Sequence, residues 1–288
     1  MYVTFWGTRG SIPTPGNNTE KYGGNTPCIH VQHGDTDIIL DAGTGIRNLG
    51  IDLMANDRTK LDLHLLLSHT HWDHIQGLPF FTPAYSKDTT LHIYGSAQKE
   101  SFLAGILQRQ MDVDYFPIDM NALQAKISIK EIEEQSFEIG SFKVTCQEQV
   151  CHPGGSLRYC LEAAGKRVIY ATDVELDQIF SSNDKDKKKA QLKEEYTSFI
   201  SGADLVIADA QYTKEEYKER INWGHTSIPV ILDVAHGQNV KQLALFHHDP
   251  QRSDVQLDKL WKQHSPEYCL HDDPMNSFWA REGMTLAI

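Results

Sequence analysis

Long hydrophobic runs are missing from this sequence of 288 residues, of which 40% are hydrophobic and 23% are charged. No apolar stretch approaches the roughly 20 residues that cross a bilayer, so we expect no membrane partner. The first ten residues, MYVTFWGTRG, lack the basic and long apolar segments of a signal peptide and are better explained as a first strand. These absences predict a cytoplasmic protein.

Cysteine pairs and excess positive charge are also missing. The five cysteines are an odd number without CxxC spacing, which argues against a disulfide framework and against a thiolate zinc knuckle. The formal net charge of −12 disfavours tight binding to extended nucleic acid, because that affinity comes mostly from cationic contacts to phosphates. A small anionic substrate is compatible with this charge, since a bound metal supplies positive charge locally.

Short runs rich in branched residues and bounded by Gly, Asn or Asp predict β-strands throughout the chain. They are YVTFW (2–6), CIHVQH (28–33), DIILD (37–41) and LDLHLLL (61–67), followed by FKVTC, LRYCLEA, RVIYATD, DLVIAD and QLALFHH. Residues 44–56 predict an amphipathic helix, and residues 97–120 predict a helix followed by a loop. Without repeats, low-complexity tracts or linkers in the sequence, we expect a single domain over residues 1–288.

The densest group of metal-binding side chains follows the strand at 61–67. In LLLSHTHWDHIQGLP (65–79), four such side chains occur within six residues: His69, His71, Asp73 and His74. Imidazole and carboxylate groups bind zinc, manganese or iron, and the absence of cysteine points away from a purely structural zinc site. We expect an extended loop here that ends at a helix start near residues 75–79. Because alternate residues of such a loop point in different directions, the cluster predicts two neighbouring metals.

Further ligands are expected at the ends of later strands. His152 follows FKVTCQEQVC, Asp173 ends RVIYATD, and His247 or His248 ends QLALFHH. Each of these residues alone is more typical of a structural or solvent-exposed role. Together with the first cluster they predict a centre that holds two metal ions.

The order of these motifs resembles that of the metallo-β-lactamase superfamily of hydrolases. HTHWDH has the HxHxDH form, and a later isolated histidine, the YATD aspartate and a late histidine follow in the superfamily's order across nearly the whole chain. The resemblance implies an α/β (α+β) fold, a four-layer αββα sandwich with the site at one edge between two sheets. It also implies two divalent ions, zinc before manganese or iron, and its dimeric members suggest a homodimer.

The same resemblance implies how the ligands are shared between the two ions. The pattern of a histidine directly after an apolar strand favours His247 over His248. One ion is then held by His69, His71 and His152, the other by Asp73, His74 and His247, and Asp173 bridges them.

The reaction is not fixed by the metals, because this kind of centre hydrolyses phosphodiesters, thioesters, lactones and β-lactams. The segments DAQYT and WGHTS (223–227) resemble two motifs of the phosphodiesterase branch, which includes ribonuclease Z and cyclic-phosphate phosphodiesterases. They imply that His225 protonates the leaving group and that Asp209 orients His225, beside the metal-binding Asp73. Alternatively, His225 caps the following helix and Asp209 binds a backbone amide.

The sequence favours a small phosphodiester as substrate, with a cyclic nucleotide first. Ribonuclease Z relatives carry a protruding arm rich in Gly, Pro and basic residues, and its nearest counterpart here is a short lysine run at 185–189 flanked by acids. A transfer-RNA 3′-processing endonuclease, or a thioesterase or lactonase, is the alternative. Two sets of side chains are candidates for substrate contact. Arg9 or Asn25 could meet a phosphate, and a base could stack on Trp72, Tyr115, Phe116 or Trp223.

Overall fold

The computed structural model describes residues 1–55, 58–96, 102–149, 151–180, 186–268 and 275–288. Within these ranges the strands are β1 Tyr2–Gly7, β2 Cys28–His33, β3 Thr36–Leu40, β4 Leu61–Leu66, β5 Thr89–Gly95, β6 Lys126–Glu131, β7 Gln135–Ile139, β8 Phe142–Gln149, β9 Ser156–Ala163, β10 Lys166–Ala171, β11 Leu205–Asp209, β12 Gln242–Phe246, β13 Asn276–Trp279 and β14 Thr285–Ala287. The helices are α1 Ile46–Ala55, α2 Trp72–Ile75, α3 Leu103–Arg109, α4 Leu176–Phe180, α5 Lys187–Ile200, α6 Lys214–Tyr217, α7 Ile228–Gly237 and α8 Asp254–Tyr268. Among the described helices, none has the length and apolar character that a bilayer crossing requires.

The strands form two sheets of seven. The first has the order β14-β1-β2-β3-β4-β5-β6, and the second has the order β13-β12-β11-β10-β9-β8-β7. In the first sheet the pairing is antiparallel from β14 to β3 and parallel from β3 to β6. In the second it is antiparallel from β7 to β10 and parallel from β10 to β13. Each sheet therefore presents the carboxyl ends of several parallel strands along one edge.

Three apolar clusters define four layers. Successive strand residues face opposite sides of a sheet, and on β3 the side chains of Ile38 and Leu40 lie in the cluster between the two sheets while Ile39 lies in the cluster beneath α1. A third cluster packs Tyr196 of α5 and Ile231 of α7 against the second sheet. The layers run helix, sheet, sheet, helix, which confirms the αββα sandwich.

Sequence patterns placed the first four strands to within one residue of β1 to β4. The helix expected at 44–56 is α1, and residue 56 lies outside the described residues. The helix expected at the start of 97–120 is α3, Leu103–Arg109, and residues 97–101 lie outside the described residues. Strands β5, β6, β7, β13 and β14 were missed. In β5 the apolar residues alternate with His92 and Tyr94, which are partly buried, and Tyr94 packs against the cluster between the two sheets.

A buried polar contact joins the two sheets. Tyr170 on β10 donates a hydrogen bond of 2.6 Å from its hydroxyl group to Oδ2 of Asp41, which follows β3. Tyr159 on β9 likewise donates a hydrogen bond of 2.7 Å from its hydroxyl group to the carbonyl of Leu67, which follows β4. Both tyrosines are fully buried, so each bond satisfies a polar group that water does not reach.

We expect Tyr170→Phe to lower the free energy of unfolding by about 1.5–3 kcal/mol, because it removes a donor from a buried carboxyl group. Tyr196→Phe is the matched control, since the buried Tyr196 hydroxyl finds no hydrogen-bond partner within the described part of the chain. Urea denaturation at a fixed metal concentration measures the free energy of unfolding of both variants. Equal losses in the two variants would contradict a stabilising role for the bond to Asp41.

Candidate functional site

The carboxyl ends of the parallel strands of both sheets meet at one edge of the sandwich. In the first sheet Asp41 follows β3 and His69 follows β4. In the second, Asp173 follows β10, Asp209 ends β11 and His247 follows β12. Ligand sites in α/β proteins commonly lie outside such strand ends, because the loops leave the sheet there.

The HTHWDH segment folds differently from the extended loop that the sequence suggested. Helix α2 begins at Trp72, inside the motif, and His71 is its N-cap with φ −63° and ψ 153°. Asp73 and His74 therefore lie on a helical turn rather than on an extended chain. This turn places Oδ2 of Asp73 3.3 Å from Nε2 of His74, whereas Nδ1 of the N-cap His71 faces His69 and His152.

Three histidines form the first group of facing atoms. Nε2 of His69 lies 2.9 Å from Nδ1 of His71, and Nε2 of His152 lies 3.0 Å from the same Nδ1. Burial lowers the pKa of all three imidazoles. They are therefore kept in the neutral form that binds a metal ion.

The second group consists of Asp73, His74 and His247. Oδ2 of Asp73 lies 3.3 Å from Nε2 of His74 and 3.2 Å from Nε2 of His247. Although burial opposes protonation, Asp73, Asp173 and Asp41 together raise the pKa of His74 well above its ordinary value. This end of the cluster therefore attracts positive charge.

Asp173 lies between the two groups and turns one oxygen toward each. Its Oδ1 is 3.8 Å from Nε2 of His69 and 3.9 Å from Nε2 of His152. Its Oδ2 is 3.3 Å from Nε2 of His74 and 3.5 Å from Nε2 of His247. This is the arrangement that a carboxylate bridging two ions requires.

The chemistry of the donor set fits two divalent cations. Ligand atoms bound tetrahedrally about 2.0–2.2 Å from one ion lie roughly 3.3 Å apart, which is close to the separations within each group. Nε2 of His74 is buried and makes no hydrogen bond within the described part of the chain, although it faces Asp73 and Asp173. A buried nitrogen left unbonded among carboxylates is explained by a cation that it would bind.

Asp41 supports this cluster, and sequence analysis missed it. Its carboxyl group accepts hydrogen bonds from Nδ1 of His74 at 2.7 Å and from the Tyr170 hydroxyl at 2.6 Å. The backbone amide and the hydroxyl of Ser68 each donate another at 2.7 Å. A carboxylate behind a metal-binding histidine fixes the ring and its tautomer. The signal was the position of Asp41 directly after a buried strand.

Three residues at this edge have an unusual backbone conformation. Asp41, Asp173 and His247 have φ values of 61°, 54° and 59°. Non-glycine residues rarely adopt the left-handed region, and where they do the surrounding structure holds them there, often at functional sites. The three side chains are aimed into the cluster at the expense of local backbone strain.

Gly224 shows how closely the loops approach the site. Its carbonyl accepts a hydrogen bond of 2.9 Å from Nδ1 of His152, which leaves Nε2 free to face the other histidines. A Cβ atom at Gly224 would lie 2.3 Å from the same nitrogen, and the residue has φ +87°. Only glycine fits this position.

His225 and Asp209 form a hydrogen-bonded pair beside the cluster. Nδ1 of His225 donates to Oδ2 of Asp209 at 2.6 Å, and the His225 ring stacks on His247 with centroids 4.9 Å apart. Burial opposes protonation, but the Asp209 carboxylate prevails and raises the pKa of His225 to about 9. Helix α7 begins at Ile228 with Ser227 as its N-cap, so His225 does not cap it. Asp209 does bind backbone amides, through Oδ1, from Gln211 and Thr226.

Three other candidates are turned away from the site. His248 is buried and donates from Nε2 to the carbonyl of Ala280 at 2.7 Å, whereas His247 faces Asp73. Arg9 is fully buried rather than exposed, and its guanidinium donates to the carbonyls of Gly23, Asp249 and Arg252. The alternative phosphate contact, Asn25, donates from Nδ2 to Glu282 at 2.9 Å. Neither Arg9 nor Asn25 is therefore available to a substrate phosphate.

Asp41→Asn should weaken metal binding by roughly 10–100-fold, because the amide oxygen accepts a weaker hydrogen bond from Nδ1 of His74 than the carboxylate does. Competition with a chelator measures the affinity. Asp37→Asn is the control, since Asp37 is equally buried but is bound by His30 and Arg58 away from the cluster. Unchanged affinity in Asp41→Asn, or an equal loss in Asp37→Asn, would show that Asp41 does not orient His74.

Comparisons with known proteins agree with this geometry. Residues 36–248 match the family model described as the Beta-lactamase superfamily domain. The chain is 25% identical over 279 residues to Ribonuclease Z of Pyrococcus horikoshii, with 87% of each chain covered. Its fold is similar to the short form of human tRNase Z, at a TM-score of 0.65 and 17% identity over 100% of this chain and 99% of the other. Its fold is also similar to that of unliganded yeast PDE1, at a TM-score of 0.68 and 14% identity over 100% of this chain and 99% of the other. The chain therefore belongs to the β-lactamase superfamily, as a metal-dependent hydrolase of its phosphodiesterase and ribonuclease Z-like branch.

Proposed function

We propose that this protein hydrolyses small phosphodiesters, cyclic nucleotides in particular, with His225 as the acid that protonates the leaving group. The observation that carries the proposal is the contact between the Asp209–His225 pair and the cluster. Nδ1 of His225 bonds Asp209 at 2.6 Å and lies 3.8 Å from Oδ1 of Asp173. A proton donor is thus positioned next to the group proposed to hold the metals.

The metal centre in this proposal uses seven side chains. One ion is assigned to His69, His71 and His152, the other to Asp73, His74 and His247, with Asp173 shared between them. Divalent ions of zinc, manganese or iron type bound there would supply Lewis acidity, which would lower the pKa of water and stabilise negative charge on phosphate oxygens. Asp73 is held for this role by the backbone amide of Ser11, which donates to its Oδ2 at 2.8 Å.

The main difficulty of phosphodiester hydrolysis is a poor alkoxide leaving group, and protonation by His225 would make this group leave more readily. Asp209 accepts from Nδ1, so Nε2 is the nitrogen left to carry a proton toward substrate. The side chain is 11% exposed, enough to reach a ligand at the mouth of the site while water is mostly excluded. A positioned acid of this kind typically contributes 10²–10⁴-fold to the rate.

An aromatic cavity beside the cluster supports a nucleotide as substrate. It has a volume of about 510 Å³, within the range of small-molecule sites, and it reaches the HTHWDH segment through Thr70 and Trp72. Tyr115 and Phe116 line it as well, and Tyr115 is 78% exposed. A base could stack on these rings while its phosphate lies at the cluster.

Cleavage of structured RNA is the second candidate, and similarity to ribonuclease Z favours it. RNA cleavage differs from hydrolysis of a small phosphodiester in how the substrate is bound. RNA binding requires many cationic contacts and weakens steeply with salt. The net charge of −12 favours the small substrate. Of the lysine run at 185–189, the part within the described residues enters helix α5, and Asp186 is the N-cap of this helix.

The acid role predicts a dependence on the leaving group. His225→Gln should lower kcat for a cyclic nucleotide by about 10²–10⁴-fold, but should lower it far less for bis-p-nitrophenyl phosphate, whose phenolate leaves without protonation. Metal content is measured in parallel, because a loss of metal would reduce both activities alike. Equal losses on the two substrates at full metal content would contradict the assignment of the acid.

If a base stacks in this cavity, loss of an aromatic side chain from it should weaken nucleotide binding. Tyr115→Ala should raise KM for a cyclic nucleotide roughly tenfold, because stacking of one base contributes about 1–3 kcal/mol. Tyr2→Ala is the control, since Tyr2 is also exposed but lies on β1, outside the cavity. A precursor transfer RNA is assayed over a range of salt concentrations beside the nucleotide. Preferential cleavage of that RNA, with steep salt dependence and no effect of Tyr115→Ala, would favour the second candidate.

A further inference from the structure

A second group of metal-binding side chains lies on the first sheet, away from the catalytic edge. Asp62 and His64 are two residues apart on β4 and share a face, and His92 on β5 lies directly beside His64 in the parallel register. We call these three residues the β4–β5 cluster. His64 precedes His69 by five residues, which corresponds to roughly 16 Å along an extended chain. The β4–β5 cluster is therefore distinct from the proposed catalytic centre.

The donor atoms of the β4–β5 cluster are close together. Oδ1 of Asp62 lies 3.1 Å from Nε2 of His92, and the rings of His64 and His92 stack with centroids 4.8 Å apart and planes 14° apart. One ligand atom from each residue lies within 4.8 Å of the other two. Ligands of a tetrahedral zinc ion lie roughly 3.3 Å apart, so Asp62 and His92 already have this spacing and His64 needs a small side-chain rotation.

Both imidazoles have a polar partner on the nitrogen away from the carboxylate. Nδ1 of His92 contacts Oγ of Ser128 on β6 at 2.8 Å, and Nδ1 of His64 lies 3.4 Å from the Tyr94 hydroxyl. Histidines that bind metals usually use their second nitrogen in this way, which fixes the tautomer and the ring orientation. Nε2 of His92 is thereby directed at Asp62.

The β4–β5 cluster is open to solvent and is suited to a cation. The side chain of Asp62 is 69% exposed and that of His92 is 31% exposed, so an ion can enter without movement of the backbone. Burial and the neighbouring His92 lower the pKa of His64, which favours its neutral form. An ion pair between Asp62 and His92 alone would not explain why a second imidazole stacks on the first.

We propose that Asp62, His64 and His92 bind one divalent transition-metal ion of the zinc type, independently of the catalytic centre. Two imidazoles and one carboxylate select zinc, cobalt, nickel or copper over magnesium and calcium. Water completes the coordination, because three protein ligands leave a position open. The ion joins β4 to β5, and since it binds only the folded chain it stabilises the fold by mass action.

The test compares zinc binding by the metal-loaded protein and its variants. Equilibrium dialysis against Zn²⁺ followed by metal analysis should give one ion fewer per chain for His92→Gln and for Asp62→Asn than for the wild type. Hydrolysis of bis-p-nitrophenyl phosphate should be unchanged. Added zinc should also raise Tm more in the wild type than in either variant.

His33→Gln is the matched control for this experiment. Nδ1 of His33 contacts Oγ of Ser141 at 2.9 Å, much as His92 contacts Ser128. This variant should bind as much zinc as the wild type. The proposal would be overturned if His92→Gln and Asp62→Asn also bound as much zinc as the wild type. It would equally be overturned if His33→Gln lost the same ion.

Discussion

The hydrogen bonds at the Asp41 carboxyl group hold the centre of this structure together. They reach Ser68 after β4, Tyr170 in the second sheet and His74 in the HTHWDH segment. One buried group thus joins both sheets and orients a side chain of the proposed metal centre. The left-handed backbone of Asp41, at φ 61°, shows that the surrounding packing compels this placement.

The chemistry follows from where the strands end. Parallel strands of the second sheet bring Asp173, Asp209 and His247 to the edge at which HTHWDH enters from the first sheet. No single strand could assemble this set, because its successive side chains face opposite sides. Asp173 lies between the two histidine-rich groups with one oxygen toward each, and the Asp209–His225 pair borders the same groups. The centre is therefore a product of the sandwich rather than of any one motif.

Much of this arrangement could be predicted from sequence, and the exceptions have physical causes. The ligand motifs are local and chemically dense, so their residues were identified before their geometry. The helical turn at Trp72–Ile75 was missed because four residues are too few for a periodic pattern. Asp41 was missed because its role depends on Tyr170, more than a hundred residues later. Arg9 was a candidate for contact with a phosphate, and only the tertiary fold brings three carbonyls around its guanidinium.

We propose that two metal ions share Asp173 at this edge of the sandwich. Anomalous diffraction at the zinc absorption edge, from crystals grown with Zn²⁺, tests it most directly. We expect two peaks about 3.5–4 Å apart, one beside His69, His71 and His152 and the other beside Asp73, His74 and His247. A single peak at this edge, or two peaks with Asp173 bound to neither ion, would contradict it.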